Sequence, residues 1–250
     1  MISKFDKNLK LNYTIDYWLT NIFKYKVGNV TCGQEENLTK LINEEKEIFL
    51  YSKVPVKNIS FVNELYKFGF IPIETSLNFE GSIISKSDND DLNNIRFANT
   101  NDKDSVEKLA FKNFIYSRFH MDPFISLKTA NKIKSVWASN FFLGKRGDKM
   151  IVSEVDSKIV GFLQLFWNKK GQIVIDLIGV DQSYHRRGLA RKMIIFASLN
   201  LKIQNIDLPL NFIVGTQAIN VPSIKLYQSL GLRMTNAEFV LHYHKNKNKL

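Results

Sequence analysis

The stretch that decides the fold runs from Gln172 to Ala197, QIVIDLIGVDQSYHRRGLARKMIIFA. Its first part, IVIDLIGV from Ile173, is an apolar, β-branched run of strand length. Its last part, LARKMIIFA from Leu189, consists of good helix formers with one apolar face. Between them DQSYHRRG brings two arginines and a glycine to the turn. A strand, a basic glycine turn and a helix start together make an anion site. The first helical N–H groups have no intrahelical partner, and the helix dipole favours negative charge there. A diphosphate suits such a place; an ordinary crossover with a solvated basic loop is the competing reading. Neither GxxxxGK[ST] nor GxGxxG occurs, so the phosphate loop of nucleotide triphosphatases and the dinucleotide fingerprint are both excluded.

Upstream of this stretch, KMIVSEV and KIVGFLQLFW read as strands joined to it by short polar turns, DSK and NKKGQ. The three therefore form an antiparallel meander. Downstream come a strand in LPLNFIVG, a helix from Val221 and a last strand, LRMTNAEFVLHYH. Further upstream, IRFAN is a short strand. Asp102 to Asp104 lead a helix through Tyr116, and a second helix spans about Leu127 to Phe141, ended by Gly144. The polar and acidic segment Ser82 to Asn94 has no periodicity and marks a linker. Two domains follow: a small α/β domain in residues 1–85 and a larger one in 95–250. In the first, a helix spans Asn37 to Asn43, EIFLYSKV is a buried strand, Asn58 caps a helix that ends at Gly69, and FIPIETSLNFEG is a strand. A faint echo links FVNELYKFGFIPIETSLNFE with SIKLYQSLGLRMTNAEFVLHYH, a helix, a glycine and a strand in each, so the first domain reads as a degenerate half-copy of the second.

Composition sets outer limits. The chain has 250 residues, of which 44% are hydrophobic and 12% aromatic, enough for a packed core and far from disorder. A single cysteine, Cys32, forms no internal disulfide and fits a reducing compartment. With no signal-peptide pattern and no apolar run long enough to span a membrane, a cytoplasmic location is expected. The net charge of +11 suits an anionic partner, part of it coming from the tail HKNKNKL. No basic stretch interleaved with aromatics and no nucleic-acid motif is present, so a nucleic-acid partner is disfavoured.

Two segments now carry a resemblance. Val180-DQSYHRR-Gly188-Leu-Ala190 resembles the V-x-P-x-x-[QR]-G-x-G-x-[GA] loop of the GNAT superfamily of acetyl-CoA-dependent N-acetyltransferases. Asn220-VPSIK-Leu226-Tyr227-QSL-Gly231-Leu232 resembles that family's N-x-x-[AS]-x-x-L-Y-x-x-x-G-F segment. Gln182 replaces the usual Pro, His185 the usual Gln or Arg, and Arg186 the next Gly. The resemblance covers about residues 95–245. It implies an α/β (α+β) fold, GNAT-like and mixed, with a central antiparallel sheet flanked by helices. A narrower likeness, in SRFHMDP, VWASNFFLGK and the LYSKVPVKNISFVNELYKFGFIPIETSLNF region, is to two-domain nucleotide-sugar amino-sugar N-acetyltransferases of the dTDP-fucosamine type. That likeness implies acetyl-CoA as co-substrate, no metal, and an acceptor amine on a nucleotide-linked amino-deoxy sugar. A homodimer is compatible with it.

The chemistry of such a transfer distributes roles. The N–H groups of Arg187, Gly188, Leu189 and Ala190 would cradle the diphosphate, with Arg186, Arg187 and Arg191 adding charge. The strand around Ile178, Gly179 and Val180, ending in a bulge or splay, would pair its backbone with the pantetheine arm. Tyr227 is the candidate acid for the leaving thiolate, against the plainer reading of a core-facing tyrosine. Asn220 either caps its helix or bonds the pantetheine arm. Asp176 and Glu154 are candidate bases acting through water, against outward-facing strand carboxylates, and an amine that arrives neutral needs neither. Ser117, Arg118 and His120 fall in the segment that lines the acceptor side in this family. Arg118 would grip a diphosphate, and His120 would bond a sugar hydroxyl or act as base; a polar turn with Asp122 paired to Arg118 is the alternative. Other readings of the whole chain are acetylation of another small amine or a protein N-terminus, or a non-catalytic acyl-CoA-binding module.

Overall fold

The computed structural model describes residues 11–33, 38–83, 91–201 and 210–245. In chain order the elements begin with β1 (Leu11–Ile15), α1 (Tyr17–Phe23), β2 (Lys26–Cys32), α2 (Leu38–Glu44), β3 (Ile48–Pro55), α3 (Ile59–Lys67) and β4 (Ile71–Ser82). There follow β5 (Ile95–Phe97), α4 (Lys103–Lys112), the single turn α5 (Arg118–Met121), α6 (Leu127–Phe142), β6 (Lys149–Val155), β7 (Lys158–Trp167) and β8 (Ile173–Val180). The chain closes with α7 (Leu189–Asn200), β9 (Asn211–Gln217), α8 (Val221–Ser229) and β10 (Arg233–Lys245). The mixed α/β architecture expected from the sequence is observed. The central part of the linker, 84–90, and residues 246–250 of the basic tail lie outside the described residues.

The chain divides into two units, and the division differs from the expected boundary. One unit comprises 1–76, 118–129 and 237–250; the other comprises 77–117 and 130–236. The reason is strand pairing. From Glu238 onward β10 runs antiparallel to β3, Glu238 opposite Pro55 and Lys245 opposite Ile48. The end of the chain thus completes the sheet of the first unit, ordered β1-β2-β3-β10. Conversely, the residues of β4 from Leu77 onward fall in the second unit, whose sheet is ordered β4-β9-β8-β7-β6-β5.

Both helices of the sequence echo carry the same punctuation. Asn58 accepts from Phe61 N at 3.3 Å and Asn220 from Ser223 N at 3.3 Å, so each caps its helix. Each helix then leaves through a left-handed glycine, Gly69 (φ 86°) and Gly231 (φ 92°). In the first unit, Val30, Ile48, Leu50, Val54, Phe61, Leu65 and Leu241 form one core. β3 is buried on both faces, because Phe49 points away from that core and stacks on His244 at 4.5 Å.

In the second unit β6, β7 and β8 form the antiparallel meander, and β8 and β9 run parallel. Alternate residues serve opposite faces. Ile151, Leu163, Leu165, Ile173 and Ile175 pack with Met193, Ile194 and Ile195 of α7 and Tyr227 of α8. Met150, Val152, Phe162 and Leu177 pack with Val106, Leu109 and Ala110 of α4 and Ala138 of α6. Ile175 and Leu177 are two apart yet serve opposite faces, which a regular strand forbids. The register accounts for it: Leu165 opposes Ile175 and Gln164 opposes Leu177, leaving Asp176 as the extra residue of a β-bulge.

Candidate functional site

The site of the second unit is built on this bulge. β8 pairs with β9 from Ile173–Phe212 to Ile175–Val214 and no further. β8 nevertheless continues to Val180 along β7. Beyond Asp176 it therefore has a strand neighbour on one side alone, and a fork opens between β8 and β9. The bulge supplies the extra local twist that drives the two strands apart. Ile178 and Val180 pack at the edge of the core that holds Ile175, Val214 and Tyr227. Gly179 is a packing requirement, since a Cβ there would lie 3.0 Å from the Phe162 ring. The Val180 carbonyl is within 2.9 Å of His185 Nε2, so the imidazole faces one end of the strand's free edge.

The loop after β8 folds on itself. Asp181 accepts from Ser183 N at 2.9 Å and opens a 3₁₀ turn over Gln182–Tyr184. Gln182 N in turn donates to Asn113 at the end of α4. Arg186 (φ 62°) and Gly188 (φ 74°) then take left-handed conformations and turn the chain into α7. The first bond of that helix is Lys192 N to Gly188 O, 2.9 Å, and Gly188 supplies no side-chain cap. As a result, the six successive N–H groups of Arg186 to Arg191 have no acceptor among the described residues. A nest of such donors at a helix start fits an oxyanion. A Cβ on Gly188 would meet nothing within 4 Å, so the glycine is required by its φ and the space beside it is open. Arg187 lies over the Tyr184 ring at 4.8 Å, and Leu189 anchors the helix start in the core.

Tyr227, on α8, is 2% exposed and shares its core with the last paired residues of the fork. Burial pushes its hydroxyl up to about 12, against a bond to Ser223 that lowers it. At neutral pH the phenol is a proton donor. Asn220 is occupied as a cap: its carbonyl takes Ser223 N, and its amide donates to Thr216 Oγ1 at 3.2 Å. The capping alternative describes this residue, and the pantetheine bond is not assigned to it.

The two carboxylates expected as bases have other partners. Asp176 receives Arg146 through Nε (2.7 Å) and Nη2 (2.6 Å), Trp137 Nε1 (2.8 Å) and Gln164 Nε2 (3.0 Å). Its side chain is 5% exposed. The Asp176 carboxylate thus accepts four bonds, two of them from one guanidinium. Glu154 stands two strands away on β6, bonded to Arg96 at 2.7 and 3.0 Å. Arg96 also grips Asp102, whose carboxyl it holds below the usual range. Glu154 thus belongs to an edge ion network, and we assign neither carboxylate the role of base.

The acceptor segment is also redistributed. Ser117 is buried at the end of its run in the second unit, while Arg118 and His120 belong to the first unit. Arg118 is half-buried, lying over Tyr51 at 4.0 Å and Phe119 at 4.4 Å, with Nη1 3.2 Å from His242 Nε2. The guanidinium is therefore packed against aromatic rings and an imidazole of that unit. Asp122 does not pair with Arg118. It accepts from His242 Nδ1 at 2.5 Å and His244 Nε2 at 2.7 Å. Burial would raise the Asp122 carboxyl, but the two imidazole bonds prevail and hold it well below its ordinary range. Burial, with the nearby Arg118 charge, brings His242 down to about 4 against the pull of Asp122. His242 is accordingly neutral near pH 7, its Nδ1–H on Asp122 and its Nε2 lone pair toward Arg118. Asp122, His242 and His244 have the donor set of a metal site. A cation there would displace both imidazole protons and face a guanidinium, so the residues fit a hydrogen-bonded triad better than a metal.

Trp137, Gln164 and Arg146 had no individual signal in the sequence. Their roles come from meeting Asp176, and the separation from Arg146 to Asp176 carries no local pattern.

Residues 114–232 match the Acetyltransferase (GNAT) family. Over 93% of its length the chain is 24% identical to the spore coat polysaccharide biosynthesis protein SpsD of Bacillus subtilis (strain 168), covering 82% of that protein. Among solved structures it is similar to a GCN5-related N-acetyltransferase from Sphaerobacter thermophilus, with a TM-score of 0.59 and 9% identity over 96% of this chain and 78% of that one. It is also similar to a tandem GNAT protein of the clavulanic acid biosynthesis pathway, with a TM-score of 0.55 and 8% identity over 89% and 76% of the two chains.

Proposed function

We propose that this chain, whose residues 114–232 match the Acetyltransferase (GNAT) family, is an acyltransferase that moves the acetyl group of acetyl-CoA to the amine of a nucleotide-linked amino-deoxy sugar. The row of six unpaired N–H groups at the start of α7, beside the fork of β8 and β9, carries the donor half of this reading. Acetyl-CoA brings an activated thioester, and the chain's own groups place it. Arg186 to Arg191 hold the diphosphate through backbone donors, with the guanidinium groups of Arg186 and Arg187 alongside. The free edge of β8 at Ile178 to Val180 receives the pantetheine amides as an added strand would. Tyr227 donates its hydroxyl proton toward the sulfur as the C–S bond breaks. With Asp176 and Glu154 engaged elsewhere, the amine enters neutral and its proton leaves through water.

The acceptor half rests on the relative named for polysaccharide biosynthesis, on the likeness of SRFHMDP and its neighbours to amino-sugar acetyltransferases, and on the basic balance of the chain. An acetyl-CoA-dependent assay over amino sugars, free and nucleotide-linked, tests it. Turnover of a nucleotide-linked amino sugar in preference to the free sugar is expected. Turnover of simple amines with no nucleotide-linked sugar accepted would overturn the substrate.

Gly188→Ala tests the cradle. A left-handed conformation costs a residue with a Cβ about 1–2 kcal/mol, so acetyl-CoA affinity should fall by about tenfold. Affinity by calorimetry checks this, and an unchanged value would move the diphosphate off this loop.

A further inference from the structure

Arg146 sits in the loop between α6 and β6, in the second unit, and its geometry is fixed from three sides. Its Nε and Nη2 form a bidentate pair with Asp176, and its guanidinium lies over the Trp137 ring at 4.6 Å. Left-handed glycines flank it at Gly144 (φ 64°) and Gly147 (φ 89°). A Cβ on Gly147 would approach the Gln164 side chain to 3.0 Å, so the loop comes this close to β7 because that position is glycine. Gln164 itself bonds Asp176. Arg146 is thus held on the bulged residue, at the point where β8 leaves β9.

What is held fast is still half open. The Arg146 side chain is 43% exposed, against 5% for Asp176. The pair with Asp176 uses one edge of the guanidinium; Nη1 has no acceptor among the described residues. Lys134 of α6 brings a second positive charge to the same indole, 4.8 Å from its centre, and lies 5.0 Å from Phe114. A planar, preorganised guanidinium edge with an open donor is suited to a phosphate oxygen.

We propose that Arg146 is the residue by which this site recognises a phosphate group carried by the acceptor, with Asp176 and Trp137 as its positioning residues. This rests on the acetyl-transfer reading and sharpens its acceptor half, since Arg118, the cation expected for that task, is committed to the first unit. An acceptor bound through its phosphate at Arg146 is held next to the fork, where the thioester would be presented.

The Trp137 indole N–H donates to Asp176 and so reports on the cluster. In protein saturated with CoA, so that the loop of Arg186 to Arg191 is filled, glucosamine 1-phosphate should shift the Trp137 indole N–H resonance in ¹⁵N–¹H spectra. Glucosamine at the same concentration should not. Trp137→Phe identifies the resonance. Arg146→Met should abolish the shift and raise KM for a phosphate-bearing amino sugar by more than tenfold, leaving CoA affinity unchanged. Arg146→Lys, which keeps the charge and loses the fork, should fall between and guards against a folding defect. A shift caused equally by glucosamine, or one that persists in Arg146→Met, would overturn the proposal. Nucleotide-linked amino sugars turned over with no phosphate response would remove Arg146 and leave the reaction. A phosphate response without turnover of any amino sugar would do the opposite.

Discussion

Tyr227→Phe is expected to lower kcat by about a hundredfold, the lower end of what a positioned proton donor contributes, while acetyl-CoA binds as before. The ring stays in place: it packs 6.0 Å from Phe79 inside the core of the second unit, and phenylalanine fills the same space. What is lost is the hydroxyl. With that group at about 12, complete transfer of its proton to a thiolate near 8.5 would be uphill by roughly 5 kcal/mol. The donation therefore has to accompany C–S cleavage, strengthening as charge builds on sulfur. Two measurements separate this role from packing. Rapid-quench single turnovers should show the chemical step slowed, and acetyl-CoA titration should show affinity unchanged. Because the phenol remains protonated far above neutrality, the wild-type rate should show no fall from Tyr227 ionisation between pH 7 and 9. A Phe variant with wild-type single-turnover rate would leave Tyr227 as a core residue and nothing more.

Asp122→Ala is expected to destabilise the protein by about 3–5 kcal/mol, because breaking a buried pair strands its partners without solvent to replace the lost bonds. The side chains of Asp122 and His242 are fully buried and that of His244 is 3% exposed. Removing the carboxylate strands the His242 Nδ1–H and the His244 Nε2–H, and also the Phe124 amide that Asp122 Oδ1 accepts at 2.8 Å. Asp122→Asn, which can keep the Phe124 bond, should cost less. The pH dependence has a definite sign. His242 is lowered from 6.5 to about 4, so in this window the unfolded chain binds more protons and stability falls as pH drops. Asp122 is lowered as well, so its contribution is complete above the ordinary carboxylate range and is lost as pH falls through its folded value. The other charged and titratable groups of this environment are Arg118, Tyr51, Tyr25, Asp16, Glu47 and Glu74. Urea midpoints measured from pH 7 to 4 should decline in the wild type, and His242→Phe should flatten the decline. An Asp122→Ala midpoint equal to wild type would show that the triad contributes no stability.

Much of this protein is legible in short range. The alternation of residues along β6, β7 and β8, the turns between them, the Asn58 and Asn220 caps and the glycines Gly69, Gly144 and Gly231 all act within a few residues of themselves. The left-handed Gly188 and the basic turn into α7 are of the same kind, so the cradle is written locally. The bulge is partly written too: IVIDLIGV places a charge where a two-sided buried strand has no room for one, and the strand answers by inserting Asp176 as an extra residue.

The rest depends on residues far apart in the chain meeting in space. That Asp176 is clamped to Arg146 follows from a loop thirty residues earlier closing against β7. That Arg118 lies over Tyr51 and that Asp122 pairs with His242 in place of Arg118 follows from the segment 118–129 joining the first unit. That the last strand completes the first sheet follows from β10 pairing with β3. A sequence window registers propensity, capping and periodicity because those forces are short-ranged along the backbone. The charge state and reach of a side chain are set by whatever is packed against it, and for Asp176, Arg118 and Asp122 those neighbours come from distant segments. The sequence alone therefore determined the strand–loop–helix of β8 and α7, and the tertiary structure alone decided which charged groups are paired with one another.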